Sequence, residues 1–286
     1  MNKSIFFYST TIVLILGLLF GCGGSNNQKP ESGQNLEPIL LPAQPRCEVE
    51  RSASVLKNSL FAPSENMKYT ALKLHELEED HDHSQISEQA ENMVKESVEL
   101  MKSSAYLSST YLDTLIIYSS ESTVMSNALQ AHNESMSKNA FESKIRDINR
   151  LTERINKYTS RKIRVESGAC LTNKEFLENE IRLYYTTLNE GIKSIESSLS
   201  SHCNECISDE IGFYENFIKM FRESLIKAQT DEYKIVSRTL ADIEHTLHEL
   251  SNTHEKEEAH HTMETLDRQM SRFEDELLDI TGRNEL

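Results

Sequence analysis

Tryptophan is absent from the 286 residues, glycine and proline are scarce at 9 and 5, and no proline follows Pro63. Beyond that point only Gly168, Gly191, Gly212 and Gly282 interrupt the chain. Proline removes a backbone donor and clashes with the preceding helical turn, and glycine costs entropy in any regular element. A chain so poor in both is free to stay helical over long stretches. Also missing are a Gly-rich phosphate loop, a Gly-x-Ser-x-Gly elbow, a His-Glu-x-x-His zinc helix and an EF-hand loop. No catalytic residue is assigned, and the expectation is a protein that is not an enzyme. Cations are in deficit as well: 30 Lys and Arg face 46 Asp and Glu, a formal net charge of −16. Nucleic-acid binding rests on clustered cations that neutralise phosphates, so no nucleic-acid partner is expected, and anionic lipid headgroups would repel the surface too.

At the amino terminus a cation at Lys3 is followed by an apolar run from near Ile12 that closes on Leu19-Phe20-Gly21-Cys22. Ser9, Thr10 and Thr11 keep the run short of the roughly 20 apolar residues a membrane-spanning helix needs. A short basic start, an apolar segment and a small residue at the cut are the parts of a cleaved secretory signal. The segment resembles the lipobox signal peptide of bacterial lipoproteins. That resemblance implies that residues 1–21 are removed, that Cys22 becomes the first mature residue and carries the lipid, and that the protein is held in the bacterial cell envelope outside the cytoplasm. Gly23 lacks the aspartate that retains some lipoproteins in the inner membrane of enteric bacteria; in a host with an outer membrane this points to that membrane, facing the periplasm. Two or three acyl chains give durable attachment where one does not. Cleavage removes only Lys3 among the charges, which leaves 29 Lys and Arg against 46 Asp and Glu, hence −17.

Residues 22–46 are rich in Gly, Asn, Gln and Pro, with Pro30, Pro38, Pro42 and Pro45 spaced through them. They read as a flexible linker whose contour is on the order of 75 Å when straight. Leu36, Ile39, Leu40 and Leu41 are its apolar exception.

From residue 47 to 286 apolar residues recur at steps of three and four, which gathers them on one stripe of a helix rather than one face of a strand. Phe141, Ile145, Ile148, Leu151, Ile155 and Tyr158 form one series, and Leu177, Ile181, Tyr184, Leu188, Ile192, Ile195 and Leu199 another. Two heptad series follow, Val236 to Leu250 and Met263 to Ile280. The thirteen-residue step between them rotates the stripe by roughly 140° at about 100° per residue, which predicts a turn near Ser251, Asn252 and Thr253. Thr172 and Glu175 have the spacing of a capping box, with Gly168 as the preceding stop. Ser208, before Asp209 and Glu210, is expected to open the next helix, which carries Ile211, Tyr214, Phe217, Phe221 and Leu225. The long pattern from Ser84 to about His132 is expected to break or kink at one of its serine groups, 103 and 104, 108 and 109, or 119, 120 and 122. Together these predict an all-α domain, an elongated up-and-down bundle of about six or seven helices from residue 48 to 281.

Four cysteines remain beside Cys22 in a compartment where disulfides persist. A helix over 172–200 separates its ends by roughly 40 Å, whereas bridged Cα atoms approach within about 7 Å. Cys170 then cannot reach Cys203 or Cys206, so Cys47 is expected to pair with Cys170 and Cys203 with Cys206. The pair Cys203-Asn204-Glu205-Cys206 also has redox spacing just before a helix start, where a thiolate is favoured.

Histidines cluster twice, at His75, His81 and His83 and again at His245, His248, His254, His260 and His261. His245, His248 and Glu249 share one helical face at i, i+3 and i+4, a spacing that lets them converge on zinc, copper or iron. Glu257 with His260, Glu258 with His261 and Glu78 with His81 match the Glu-x-x-His spacing of di-iron bundles. No cofactor is required by the pattern, and a divalent metal is the candidate. The primary functional expectation is a membrane-anchored structural or interaction module that meets another envelope protein or its own copy through an acidic helical surface. The alternatives are an extracytoplasmic metal-binding protein and a thiol–disulfide protein acting through Cys203 and Cys206. The stripe containing Phe213, Phe217, Met220 and Phe221 is wider than one seam needs, so it reads either as core or as a docking face.

Overall fold

The computed structural model describes residues 47–80, 82–107, 109–161, 169–199, 203–227, 231–253 and 255–282. The residues read above as signal segment, lipid site (Cys22) and linker (with Leu36 to Leu41), and also Gly168, His81 and His254, lie outside the described residues.

Among the described residues eight helices follow one another in up-and-down order: α1 (Ala53–Asp80), α2 (His83–Ser104), α3 (Ser109–His132), α4 (Lys138–Arg161), α5 (Asn173–Leu199), α6 (Asn204–Lys227), α7 (Asp231–Asn252) and α8 (Lys256–Thr281). The count exceeds the expected six or seven because the long serine-rich pattern divides. It breaks after Ser103 and Ser104, over Ala105, Tyr106 and Leu107, where the Tyr106 and Leu107 N–H groups donate back to the Ser103 and Ser104 carbonyls. Ser119, Ser120 and Ser122 do not break anything. They are wholly buried inside α3, where small side chains let neighbouring helices approach; Ser119 donates to the Ile116 carbonyl and Ser120 meets Thr187, whereas the Ser122 hydroxyl has no partner.

Helix adjacency defines two four-membered rings. In the first, α1 packs on α2 and α4, and α3 closes the square; in the second, α5 packs on α6 and α8, and α7 closes it. The rings meet where α3 lies against α5 and α6. With α2, α4, α5 and α6 around it, α3 keeps only a narrow solvent-facing strip at Asp113, Ile117 and Glu121, which accords with its having just those two acidic residues and no Lys or Arg.

The stripes expected of α4, α5, α7 and α8 all face inward: Ile145, Ile148, Ile155, Ile181, Ile195, Val236, Leu240, Ile243, Leu247, Leu266, Phe273 and Leu277 are wholly buried. Phe221 stacks on Tyr184 with ring centroids 4.4 Å apart and meets Phe273 edge-on at 6.0 Å, which ties three helices of the second ring together. The turn after α7 falls where the phase break demands it, with α7 ending at Asn252 and the Thr253 N–H donating to the Leu250 carbonyl.

Two short strands are not foreseen by the helical periodicity. β1 (Val49–Arg51) pairs antiparallel with β2 (Ala169–Leu171), each lying just before the first helix of its ring. Three-residue strands carry too few residues for a period of two to register. Cys47 and Cys170 stand at disulfide distance beside this ladder, Cα atoms 5.3 Å apart. The capping box forms as a reciprocal pair: the Glu175 N–H donates to Thr172 Oγ1 at 3.1 Å and the Thr172 N–H donates to Glu175 Oε2 at 2.8 Å. The Thr172 N–H foremost, and then the Thr172 hydroxyl, donate to the Glu175 carboxyl and hold it below its usual range.

Candidate functional site

The junction of the rings holds a connected group of buried polar side chains. Glu210, on the second turn of α6, is fully buried, and its carboxylate accepts from Ser194 Oγ of α5 at 2.7 Å while its other oxygen lies 2.7 Å from His132 Nε2 at the end of α3. The Asn127 amide donates to the Glu210 carbonyl at 3.1 Å. Tyr214, one turn on, is wholly buried; burial foremost, then the Glu210 charge, pushes its phenol well above its ordinary pKa, and the Asn127 amide opposes them. Burial draws the nearby Lys144 ammonium downward, with Glu210 and Asp147 opposing. The carboxylate stands between the serine and the histidine, so Ser194 has no imidazole to take its proton. The arrangement clamps three helices and is not a nucleophilic triad.

This polar knot is matched by Ser120 and Thr187, 2.8 Å apart between α3 and α5, and by the Asp113–Arg182 ion pair at 2.6 Å. Gly191 of α5 lies directly over Tyr214; a Cβ there would overlap the phenol ring. That close approach is what brings α5 and α6 together at the knot.

Beside the knot runs an open groove of about 680 Å³ between α2 and α6, floored by α3. Val94, Val98, Phe213, Phe217 and Met220 make its apolar surface. Its α2 rim carries the pairs Glu91–Lys95 at 2.7 Å and Glu99–Lys102 at 3.0 Å. The broad aromatic stripe of α6 therefore divides: Phe217 and Phe221 are buried, whereas Phe213 and Met220 are only partly buried and line the groove. Because α2 and α6 start, and α3 finishes, at one end, that end is marked by Ser87, Ala131 and Asp209. His83 and Asn133, 3.0 Å apart, tie α2 to α3 at the same end.

The second cysteine pair sits there too. Cys203 and Cys206 stand at disulfide distance with Cα atoms 5.3 Å apart. The start of α6 corrects the sequence expectation. It opens at Asn204, four residues before Ser208's expected position as cap, because the Cys203 carbonyl accepts the Ile207 N–H at 3.1 Å and the Cys203 sulfur accepts the Cys206 N–H at 3.3 Å. Sulfur fills the capping place, and Ser208 is left exposed within the helix.

The described histidines do not converge. His245 pairs with Glu249 at 3.3 Å, whereas His248 reaches across to Glu215 of α6 at 3.2 Å. His260 and His261 both lie 3.7 Å from Glu264, not beside the Glu257 and Glu258 of the di-iron spacing. His75 and His83 are exposed on different helices. Among the described residues no three His, Cys, Asp or Glu side chains stand close enough to hold a metal ion. Nor is any described helix long and apolar enough to cross a membrane. Sequence reasoning took Glu210 only for an acid at a helix start; a lone histidine closing a helix almost free of charge, His132, was the signal that a buried carboxylate waits opposite. Comparison of the chain with protein-family models, curated proteins and solved structures finds no match.

Proposed function

We propose that the protein is a lipid-anchored envelope module whose helical domain docks a polypeptide segment of another envelope protein. The reading of the anchor rests on the lipobox-like Leu19 to Cys22. The reading of the domain is carried by one observation, the groove between α2 and α6 with apolar walls and a charged α2 rim. Two parallel walls on a floor helix offer the seat that a further amphipathic helix fills by laying its apolar face inward. Charge chooses the occupant. A second mature copy brings the same net −17, 29 Lys and Arg against 46 Asp and Glu, and is repelled, whereas a segment flanked by Lys and Arg is drawn in.

The test has two parts. Mass spectrometry of the native amino-terminal peptide is expected to find acylated Cys22, and Cys22→Ala is expected to release the chain from the membrane fraction. Binding of a synthetic amphipathic helix with Lys and Arg flanks, followed by calorimetry, is expected to be lost on Met220→Lys. An unmodified first segment refutes the anchor, and binding that ignores Met220 refutes the groove.

A further inference from the structure

The long-range bridge, Cys47 with Cys170, staples two ring entrances. The short bridge fastens little, since its ends lie only three positions apart in sequence, and its setting is chemical. Cys203 is partly exposed and Cys206 nearly buried at 9% exposure. The exposed sulfur already receives the Cys206 N–H at the positive end of a helix of 24 residues, the surroundings that favour a thiolate. The buried sulfur lies 3.5 Å from Ser135 Oγ, just past α3, and Glu210 is one helical turn along α6. Cys206 precedes Asp209 by three residues and Phe213 by seven, which puts it on the stripe of α6 that lines the groove, beyond the end marked by Ala131 and Asp209.

We infer that Cys203–Cys206 is an exchangeable disulfide that oxidises paired thiols of the polypeptide seated in the groove. This inference rests on the docking reading above. The partner's first thiol loses its proton to solvent and its sulfur attacks Cys203 Sγ. The Cys203–Cys206 bond breaks, Cys206 leaves as thiolate beside Ser135 and takes a proton from solvent, and a mixed disulfide joins the partner to Cys203. The partner's second thiol, deprotonated, attacks the partner's first sulfur and expels Cys203 as thiolate. Two electrons pass from the partner dithiol, which becomes a disulfide, to the cysteine pair, which becomes a dithiol. A second protein disulfide regenerates the bridge by the reverse exchange. The direction follows from the leaving group: the amide and helix terminus that stabilise the Cys203 thiolate favour its expulsion and make the reduced form the comfortable one.

The test uses the full chain, glutathione, and a synthetic dithiol peptide with an apolar face and Lys and Arg flanks. In the reduced protein, iodoacetamide is expected to alkylate Cys203 with a midpoint well below the ordinary thiol value of about 8.5. Cys206→Ser is expected to hold a one-to-one mixed disulfide with glutathione at Cys203. Met220→Lys is expected to slow oxidation of the dithiol peptide at least tenfold, whereas Ile235→Lys, at an exposed position outside the groove lining, is expected to leave it unchanged. A bridge that stays closed under excess reduced glutathione, or a Cys203 that titrates as an ordinary thiol, overturns the exchange site and leaves the groove reading standing. A bridge active with glutathione whose peptide oxidation ignores Met220→Lys overturns the groove on which the proposal rests.

Discussion

Removing Cys47 and Cys170 together, as Cys47→Ser with Cys170→Ser, is the perturbation whose size the fold specifies best. The bridge joins residues 123 apart in sequence and encloses all of α1 to α4. A cross-link acts chiefly by restricting the unfolded chain, and the loop-length relation gives about 5 kcal/mol for a loop this long against about 2 kcal/mol for the three-residue separation of Cys203 and Cys206. The remaining contacts at the entrance persist without the bridge. Val49 still pairs with Leu171, the Asn173 N–H still donates to Glu48 Oε2 at 2.9 Å, and the Arg51 guanidinium still lies 4.7 Å over the Tyr106 ring. The loss therefore comes from the freer unfolded state. Guanidinium titration of the two double variants, followed by circular dichroism, is expected to show a drop about 2.5-fold as large for the long loop, together with a steeper denaturant dependence as its unfolded chain expands. Equal losses, or a larger loss for Cys203→Ser with Cys206→Ser, would refute the reasoning.

Gly191→Ala gains up to about 1 kcal/mol of helix propensity but drives a methyl group into Tyr214, and overpacking costs about 1–3 kcal/mol; a net fall in thermal midpoint is expected, partly reversed by adding Tyr214→Leu. His132→Ala leaves the Glu210 carboxylate buried without its imidazole partner and is expected to cost about 3–5 kcal/mol in denaturant unfolding, much of it recovered when Glu210→Gln removes the charge. Burial, then Glu190, raises the Glu121 carboxyl above its usual value against the pull of Arg154. A carboxyl raised in the folded state favours folding while protonated and loses that contribution as pH climbs through its folded pKa. Glu121→Gln is thus expected to raise the thermal midpoint at pH 7 and to make no difference below the ordinary carboxylate range.

Most of the fold is written in spacing. The inward stripes of α4, α5, α7 and α8, the Thr172–Glu175 cap and the turn at Thr253 each follow from local periodicity or a local hydrogen bond, which a single sequence exposes. The serine-rich stretch from 84 to 132 resists because the same hydroxyls serve as helix breaks at Ser103 and Ser104 and as close-packing residues at Ser119 and Ser120; only the identity of the neighbouring helix separates the two uses. The site is less legible for the same reason. His132, Ser194 and Glu210 belong to three helices, and nothing local announces that they meet. Conversely, His245, His248 and Glu249 satisfy a ligand spacing, yet Glu215, far away in sequence, claims His248.

The docking claim is tested most directly by photo-crosslinking in the native envelope. A photoreactive residue is placed at Val98 or Met220 in the groove, and as a control at Ile235, whose exposure of 51% lies away from it. The account predicts one discrete adduct from both groove positions, mapping to an amphipathic segment of another envelope protein with basic flanks, and none from Ile235. Adducts to a second copy of the chain, or the same products from all three positions, would contradict it.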